Sequence, residues 1–340
     1  MTLDSRATLV GVATHAGVSV ASASRVLNGL PSSRSMVEKV QASASALGYR
    51  PNVIARSLKV QHTDQLAFAM SDVGNPVYVT MMRAVEEATR DEGYRLMISS
   101  IASDPGAVVE LMRSLRHGYA DGLVLSPLRV TDALLAELHT PAVPTVVIGT
   151  VPSTVPVDNV RANSAGAVRI ALDHLSSVGR RRVAFLNGPV DTVPGSARAR
   201  AFERNVRRLG LAVDDRLRVE ADDFTLRAGR AAAVALLERG QPDAVLGGND
   251  LLAIASMQVL RESGIRVPED VAVIGMDDTE LATVTTPTLT SVSLGSYRRG
   301  HLAAQLLLER LREPDRPVRR VTVQPELHAR ASTALLQARR

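Results

Sequence analysis

The sequence predicts an α/β fold in two parts: a small all-α domain at the N-terminus, then two lobes that each contain a doubly wound parallel sheet. Two observations indicate this division. Residues 1–62 hold seven basic and two acidic residues, whereas residues 63–340 hold 33 of each sign. From residue 65 onward, short apolar runs alternate with amphipathic helices. The chain has 340 residues and is 45% apolar, so it is long enough for two or three hydrophobic cores.

Three short helices are predicted near the N-terminus, at residues 8–16, 20–28 and 34–47, because apolar residues recur there at helical spacing. Between the first two, Gly17 is expected to end one helix and the Ser19 hydroxyl to cap the next. Two short helices joined by a tight turn, with a third helix behind them, are typical of a helix-turn-helix. The net positive charge of this domain favours a polyanionic partner.

Residues 51–62 are predicted to form a hinge helix and linker after the helix-turn-helix domain of residues 1–50. The helix would begin at Asn52 and is too short to be stable alone in water, because so few residues cannot offset the cost of nucleation.

The two lobes are predicted from apolar runs without polar alternation, which are typical of parallel strands covered on both faces. They are expected to occupy residues 63–331 and to be followed by a tail at 332–340. The first lobe is assigned about 63–161 and 293–320, and the second about 162–292 and 321–331.

The predicted strands end in polar residues, and the carboxyl ends of strands are where such lobes bind ligands. A polar cleft for a small molecule is therefore expected at this edge of the sheets. The strand ends are Ser71-Asp72, Ser99-Ser100, Ser126, Gly188, Asp222-Asp223, Gly248-Asn249-Asp250 and Asp277-Asp278.

Several classes of function are disfavoured by composition. The chain has no cysteine, which removes disulfides and thiol chemistry and fits a reducing compartment. It contains neither an apolar run long enough to span a membrane nor a secretory signal, so a cytoplasmic location without a membrane partner is expected. The seven histidines lack metal-ligand spacing, and no catalytic constellation or phosphate-binding loop is recognisable. Neither an enzyme nor a cofactor is predicted.

The chain resembles the LacI/GalR (lactose-repressor/galactose-repressor) family of bacterial transcription regulators over about residues 8 to 331. The N-terminal motifs that carry the resemblance are Ala16-Gly17-Val18-Ser19, Ser24-Arg25-Val26-Leu27-Asn28-Gly29 and Leu47-Gly48-Tyr49-Arg50-Pro51-Asn52. In the body they are Val157-Asp158-Asn159, Asn249-Asp250, Arg266-Val267-Pro268-Glu269-Asp270-Val271 and Gly275-Met276-Asp277-Asp278. The family fold implied for the body is that of periplasmic binding proteins.

The resemblance implies that the second helix lies in the major groove of operator DNA. Val20 and Ala21 would then face base edges, and Arg25 is the candidate for bidentate contact with guanine, or otherwise for a phosphate contact. Leu58 would wedge into the minor groove, or else pack on a lobe. Met36-Val37 replace a Thr-Arg pair, and Arg34 would supply the missing phosphate contact. The remaining implied DNA-binding residues are Ser19, Ser22, Ser24, Asn28, Tyr49, Asn52, Arg56 and Lys59.

For the cleft, the resemblance implies that Arg198, Asn249 and Asp277 bind the effector and that Phe224 packs against a sugar ring, unless Phe224 is a core residue. Asn75 and Tyr78 correspond to the cleft entrance of the family. Asp72 and Ser126 complete the expected set because they follow strands. Asp278 would instead brace its loop.

The function implied is a ligand-responsive repressor that binds a pseudo-palindromic operator in double-stranded DNA as a homodimer. A small molecule, a sugar or related metabolite, would control binding by shifting the angle between the lobes. The alternative is a solute-binding protein of a transport system, which the lobes alone would fit. Whether the effector releases or promotes DNA binding stays open.

Overall fold

The computed structural model describes residues 7–50, 62–101, 104–212 and 214–334. The chain divides into two compact units between Thr63 and Asp64. The first unit contains three helices, which are α1 Leu9–Ala16, α2 Val20–Leu27 and α3 Arg34–Ala46.

The core of the first unit is formed by one apolar face of each helix, as the helical spacing predicts. Its buried residues are Val12, Ala13, Ala23, Val26, Val40 and Ala44. Met36 and Val37 pack against this cluster, so the pair that replaces Thr-Arg contributes apolar contacts. Leu47 is expected on the same face, but α3 ends at Ala46 and Leu47 is exposed.

The second unit alternates strands and helices, as the sequence predicts. In chain order they are β1 Gln65–Met70, α4 Pro76–Arg90, β2 Arg95–Ser100, α5 Pro105–Ser114, β3 Gly122–Ser126, α6 Asp132–His139, β4 Thr145–Ile148, β5 Asp158–Ala162, α7 Ser164–Ser177, β6 Val183–Asn187, α8 Val193–Leu209, β7 Arg218–Glu220, α9 Leu226–Arg239, β8 Ala244–Gly247, α10 Asp250–Glu262, β9 Ala272–Met276, α11 Leu281–Val284, β10 Thr290–Ser293, α12 Ser296–Arg312, β11 Arg320–Val323 and β12 Glu326–His328.

Two six-stranded sheets organise these elements into two lobes. The sheet of the first lobe has the order β11-β5-β4-β3-β1-β2, and all its pairs are parallel. The sheet of the second lobe has the order β12-β10-β9-β8-β6-β7, and only the β10–β12 pair is antiparallel. Helices cover both faces of each sheet with separate apolar clusters, which explains the unbroken apolar runs in the sequence.

The chain crosses between the lobes three times, and the last crossing differs from the predicted boundary. Strand β11 pairs with β5 in the register Arg320↔Asn159 to Val323↔Ala162, so residues 321–323 belong to the first lobe. The second lobe therefore regains the chain only after Val323.

The end of the chain also differs from the predicted tail at 332–340. Ser332 and Thr333 are buried in the second lobe. The Ser332 hydroxyl donates to the Val273 carbonyl at 2.6 Å, and Thr333 Oγ1 lies 2.7 Å from His174 Nε2. Polar anchoring of this kind gives no apolar periodicity, which is why the sequence pattern does not reveal it.

Within the described residues, none of the helices combines the length and the apolar content that crossing a membrane requires.

Candidate functional site

A cavity of about 350 Å³ lies between the two lobes, at the carboxyl ends of the sheets. The parallel sheets bring the loops after β1, β3, β8 and β9 to this edge, as the topology dictates. All eight cleft residues expected from the sequence line the cavity: Asp72, Asn75, Tyr78, Ser126, Arg198, Phe224, Asn249 and Asp277. Ser99 and Ser100 are not among the lining residues, because β2 is the edge strand of its sheet.

Three asparagines that line the cavity cap helices that start there: Asn75, Asn163 and Asn249. Asn75 Oδ1 accepts from Val77 N at 3.1 Å at the start of α4. Asn249 Oδ1 accepts from Leu252 N at 2.9 Å at the start of α10, and its Nδ2 donates to the Phe224 carbonyl at 3.1 Å. Asn249 thus fixes the Phe224 loop, and part of its hydrogen-bonding capacity remains for a ligand.

The sequence allows Phe224 to be either a cleft residue or a core residue, and in the structure it is both. It is part of the core cluster of the second lobe and also lines the cavity. The guanidinium carbon of Arg198 lies 5.6 Å from the ring centroid, within the range of a cation–π contact. One face of the ring is therefore fixed by the protein while its cavity side is available for an apolar ligand surface.

Arg198 and Asp277 are the central charged pair of the cleft, and both are buried. Arg198 lies on α8, which begins at Val193 behind the Thr192 cap, so Val193-Pro194-Gly195 form its first turn. Arg198 Nη1 donates to the Gly248 carbonyl at 2.6 Å, but its Nη2 is 3.9 Å from Asp277 Oδ1. This distance is too long for a charge-assisted hydrogen bond, so the Asp277 carboxylate retains acceptor capacity.

Asp277 has a backbone φ of +105°, a conformation that residues other than glycine rarely adopt. Strain of this kind concentrates at binding sites because the surrounding structure holds the residue in place. Burial raises the pKa of Asp277, and the nearby charges of Arg198 and Arg299 oppose that rise. Asp278 faces away from this arrangement and pairs with Arg330 at 2.6 Å, as expected for a residue that braces the loop.

Burial raises the pKa of two titratable groups beside Asp277. Desolvation raises the pKa of Tyr78 to about 12, so its hydroxyl keeps its proton at neutral pH. Desolvation, followed by the charge of Asp277, raises the pKa of Asp250 to about 7. Asp250 accepts from Thr279 N at 2.6 Å and from Ser291 Oγ at 2.5 Å.

A metal centre is not found in the part of the chain that the structure describes, where no group of three histidine or acidic side chains is arranged to hold an ion.

The first unit presents the start of α2 to solvent. Gly17 is left-handed, with a φ of +66°, and Ser19 caps α2 by accepting from Ser22 N at 3.1 Å, as the sequence predicts. Val20 and Ala21 are exposed at the first turn, with Ser22 and Ser24 partly exposed. Asn28 is exposed and its Nδ2 donates to the Ser24 carbonyl at 2.7 Å.

The basic residues of this unit are held by weak, exposed contacts. Arg25 Nη2 donates to the Pro31 carbonyl at 3.2 Å, and Arg34 Nε pairs with Glu38 at 3.0 Å. Exposed pairs of this type contribute little to stability, so both guanidiniums can exchange these partners for DNA. Tyr49 packs against the core of the unit and is half-buried.

Two family models match the chain. The model described as bacterial regulatory proteins, lacI family, matches residues 8–52, and the model for a periplasmic binding protein-like domain matches residues 172–333. The ribose operon repressor of Escherichia coli (strain K12) is 32% identical over 337 residues, which cover 96% of this chain and 99% of that protein.

The chain belongs to the lacI family of bacterial regulatory proteins.

Solved structures agree with this assignment. A complex of the transcriptional regulator CelR with cellobiose is 32% identical, with a TM-score of 0.73, and covers 96% of this chain and 100% of its own. The lac repressor dimer bound to operator and the anti-inducer ONPF shares the fold, with a TM-score of 0.85 at 24% identity over 96% of this chain and 99% of its own. This lacI-family protein is a DNA-binding transcriptional regulator with a periplasmic-binding-protein-like effector domain.

In this lacI-family chain, four of the expected DNA-binding residues lie outside the described residues: Asn52, Arg56, Leu58 and Lys59. Their contacts with DNA stay predictions, as do those of the described DNA-binding and cleft residues with their ligands. The main residue that the sequence analysis misses is Arg299 on α12, which is buried and lines the cavity. Its signal in the sequence was weak, because Arg298 and Arg299 are adjacent and only the phase of the helix shows which one points inward.

Proposed function

We propose that this protein represses transcription by binding a pseudo-palindromic operator as a homodimer, and that a sugar or related metabolite in the interlobe cleft controls its affinity for DNA. The proposal places the protein in the cytoplasm and assigns it no catalytic step. The observation that carries it is the presence, in one chain, of an exposed recognition helix and of a buried polar cavity lined from both lobes.

The relatives support a sugar as the effector. The related CelR structure is titled as a complex with cellobiose, and the relative in Escherichia coli is named the ribose operon repressor. The cleft of this chain offers matching chemistry: Asp277 and Asn249 for hydroxyl groups and the Phe224 ring for the apolar face of a sugar. The lacI-family helix-turn-helix domain counts against a solute-binding protein of a transport system.

The proposed control works through the angle between the lobes. A ligand that contacts both lobes favours the closed arrangement by its differential affinity. Two direct contacts already join the lobes at the cavity: Val193 N donates to the Leu128 carbonyl at 2.8 Å, and Arg129 Nε donates to Asp191 Oδ2 at 2.8 Å. We propose that closure changes the order of the hinge segments of residues 51–62 and so couples effector and operator.

DNA recognition is tested by binding of the full chain to the DNA upstream of its own gene, with a scrambled duplex as the reference. Arg25→Ala is expected to cost about 1–3 kcal/mol at the specific site and to relax its sequence preference, because a bidentate base contact is lost. Arg34→Ala is the matched control and is expected to weaken both duplexes equally and to reduce the salt dependence. Binding that is insensitive to salt, and equal on both duplexes, would refute the proposal.

Effector control is tested by Asp277→Ala, with Asp278→Ala as the matched neighbour. Truncating a buried charged group that binds a ligand costs about 2–5 kcal/mol, so Asp277→Ala is expected to abolish the effector response while DNA binding remains. Asp278→Ala removes the brace to Arg330 and the contact with His328, and it is expected to keep the response. The assay is an effector titration of the operator complex. A normal titration curve for Asp277→Ala would show that the cleft has been assigned wrongly.

A further inference from the structure

The floor of the cleft contains an unequal set of buried charges. Arg198 and Arg299 are 5% and 8% exposed, and Asp277, at 9%, is the acidic residue beside them. The other charged lining residues, Asp72, Asp223 and Arg161, are partly or fully exposed and are screened by solvent. Two buried arginines of the cavity lining therefore share one buried acidic residue of that lining.

Asp250 does not correct this imbalance at Arg299. Its two carboxylate oxygens accept hydrogen bonds from Thr279 and Ser291, which lie behind the cavity wall. Among the described residues, no carboxylate oxygen lies within 4.0 Å of the Arg299 guanidinium. Arg299 remains charged, because burial lowers its pKa only to about 10.

The two arginines also have donors without acceptors. Within the described part of the chain, neither Arg198 Nε nor Arg299 Nε has a hydrogen-bond partner, although both atoms are buried. Arg299 Nη2 donates to Ser296 Oγ at 3.2 Å, a neutral partner one turn earlier on α12. Buried charged donors without acceptors are costly, and a bound water, ion or ligand can supply the acceptor. Outside the cleft, Arg316 Nε is also buried without a hydrogen-bond partner among the described residues, so the case for a ligand depends on the position of Arg198 and Arg299 in the cavity lining.

We infer that the effector of this protein carries an anionic group, a carboxylate or a phosphate, and that Arg299 is the specificity-determining residue that binds it beside Arg198. The inference rests on the proposed function and narrows its ligand to sugar acids and sugar phosphates. A guanidinium presents donors in a planar fork that matches the two oxygens of a carboxylate or phosphate, whereas a hydroxyl group offers one uncharged oxygen to the fork.

The size of the cleft agrees with a ligand of this kind. A volume of about 350 Å³ lies at the lower end of the range for small-molecule sites, as expected for a single sugar ring with one acidic substituent. Asp277 and Asn249 lie on the second-lobe side for hydroxyl groups, and Arg299 on α12 faces them from the first lobe. The acidic group would thus bind both lobes and favour closure.

The first experiment compares matched neutral and anionic probes in thermal unfolding of the full chain at constant ionic strength. The probes are D-glucose against D-glucuronate and D-glucose 6-phosphate, D-ribose against D-ribose 5-phosphate, and inorganic phosphate alone. At least one anionic sugar is expected to give saturable stabilisation, with an affinity roughly tenfold or more above that of its neutral counterpart. Comparing D-glucuronate with the sugar phosphates shows whether the cleft prefers a carboxylate or a phosphate.

The second experiment repeats the titration with variants at two adjacent positions of α12. Arg299→Leu is expected to weaken binding of the anionic sugar roughly 10- to 100-fold, and Arg299→Lys to restore part of the loss as a point charge. Arg298→Leu removes the same charge from an exposed position and is expected to bind like the wild type. If affinity for the anionic sugar falls in Arg299→Leu but not in Arg298→Leu, the loss comes from a direct contact of Arg299 and not from the change in net charge.

The inference is overturned if no anionic probe stabilises the protein better than its neutral counterpart, or if Arg299→Leu binds the acid as tightly as the wild type. A neutral sugar that binds with unchanged affinity in Arg299→Leu and still alters operator binding would refute the anionic effector while leaving the repressor assignment intact. If an anionic sugar binds through Arg299 but leaves operator affinity unchanged, the proposed control of DNA binding fails instead.

Discussion

Two groups of buried arginines lie in the second unit, one around Asp158 in the first lobe and one around Asp277 in the cleft. Asp158 is fully satisfied: it accepts from Arg310 Nε at 3.1 Å, from Arg316 Nη2 at 2.8 Å and from Arg319 N at 2.7 Å. The arginines also bind backbone carbonyls, including that of Leu306. This group connects β5, α12 and the segment before β11, and among its donors Arg316 Nε is buried without a hydrogen-bond partner in the part of the chain that the structure describes.

The cleft group uses the same residue types, but its arginines bind neutral oxygens and lack a close carboxylate among the described residues. Arg198 approaches Asp277 no closer than 3.9 Å, and Arg299 has one neutral side-chain partner in Ser296. The side chains of Arg310 and Arg316 are 15% and 6% exposed, close to the values of the cleft arginines, so burial alone does not distinguish the two groups. The difference lies in the carboxylate acceptors, which fits a structural role for the Asp158 group and the ligand site that we propose for the cleft group.

The largest effect is expected at Asp158. Asp158→Ala leaves two buried guanidiniums without their anion and is expected to lower the free energy of unfolding by about 3–5 kcal/mol, measured by urea denaturation. Asp173→Ala is the matched control, because Asp173 also pairs with two arginines, Arg169 and Arg208, but at the surface. Asp173→Ala is expected to lower the free energy of unfolding by less than about 1 kcal/mol. Equal losses in the two variants would remove the distinction between buried and exposed groups.

Asp250 is a second buried carboxyl, and it differs from Asp158 because its hydrogen-bond donors are hydroxyl and backbone groups and not arginines. The dependence of stability on pH tests this difference. The Asp250 pKa of about 7 in the folded state exceeds the ordinary value near 4 of the unfolded chain. Between these values the folded state binds the extra proton, so the unfolding free energy falls as pH rises from about 4 to about 7 and is then constant. The fall is on the order of a few kcal/mol.

Asp250→Asn is expected to remove this fall while keeping the shape of the site. Urea denaturation at pH 5 and pH 8 gives the change in unfolding free energy of the wild type and of Asp250→Asn. Subtracting one change from the other cancels the contributions of the titratable groups that both proteins share. An identical pH dependence in the wild type and in Asp250→Asn would show that Asp250 is ionised throughout.

The stability of Arg299→Leu without ligand tests the cleft group, the second of the two arginine groups compared above. Replacing a buried charge that lacks an anion by an apolar side chain is expected to raise the unfolding free energy by about 1–2 kcal/mol. The gain should vanish in saturating anionic ligand, which stabilises only the wild type. Thermal unfolding with and without ligand measures both. A ligand-free loss as large as that of Asp158→Ala would mean that Arg299 is structural.

The smallest effect is expected at the Arg129–Asp191 pair across the mouth of the cleft. Asp191 is largely exposed, so Arg129→Ala should change global stability by less than about 1 kcal/mol. Because the pair joins the two lobes and the proposed control works through their closure, its loss should weaken effector binding a few-fold. Asp191→Ala should give the same shift, and an additive double variant would show that the two residues do not act together.

Much of the fold follows from the sequence, because parallel strands buried on both faces must be apolar throughout and end in polar loops. The same rule places Asp72, Ser126, Asn249 and Asp277 at one edge. The resemblance adds Arg198, whose exact position depends on a helix that begins with Val193-Pro194-Gly195. Capping explains the turn at Gly17 and Ser19, which needs only local chemistry.

The remaining features depend on contacts between distant segments. Asp158 stands out in the sequence only as part of a family motif, and its partners follow some 150 residues later. The inward position of Arg299 requires the phase of α12, and the burial of Ser332 requires its bond to Val273. Polar and charged residues carry no hydrophobic periodicity, so their burial cannot be read from the pattern.

The packing of Phe224 has a consequence for how the cleft changes among relatives. Gly188, at the end of β6, does not line the cavity, yet a side-chain carbon there would overlap the Phe224 ring. Even an alanine at 188 would force the Phe224 ring to move and so change the shape of the cavity that the ring lines. The shape of the cleft thus depends on a residue outside its lining, and a larger residue at 188 is expected to require a smaller one at 224.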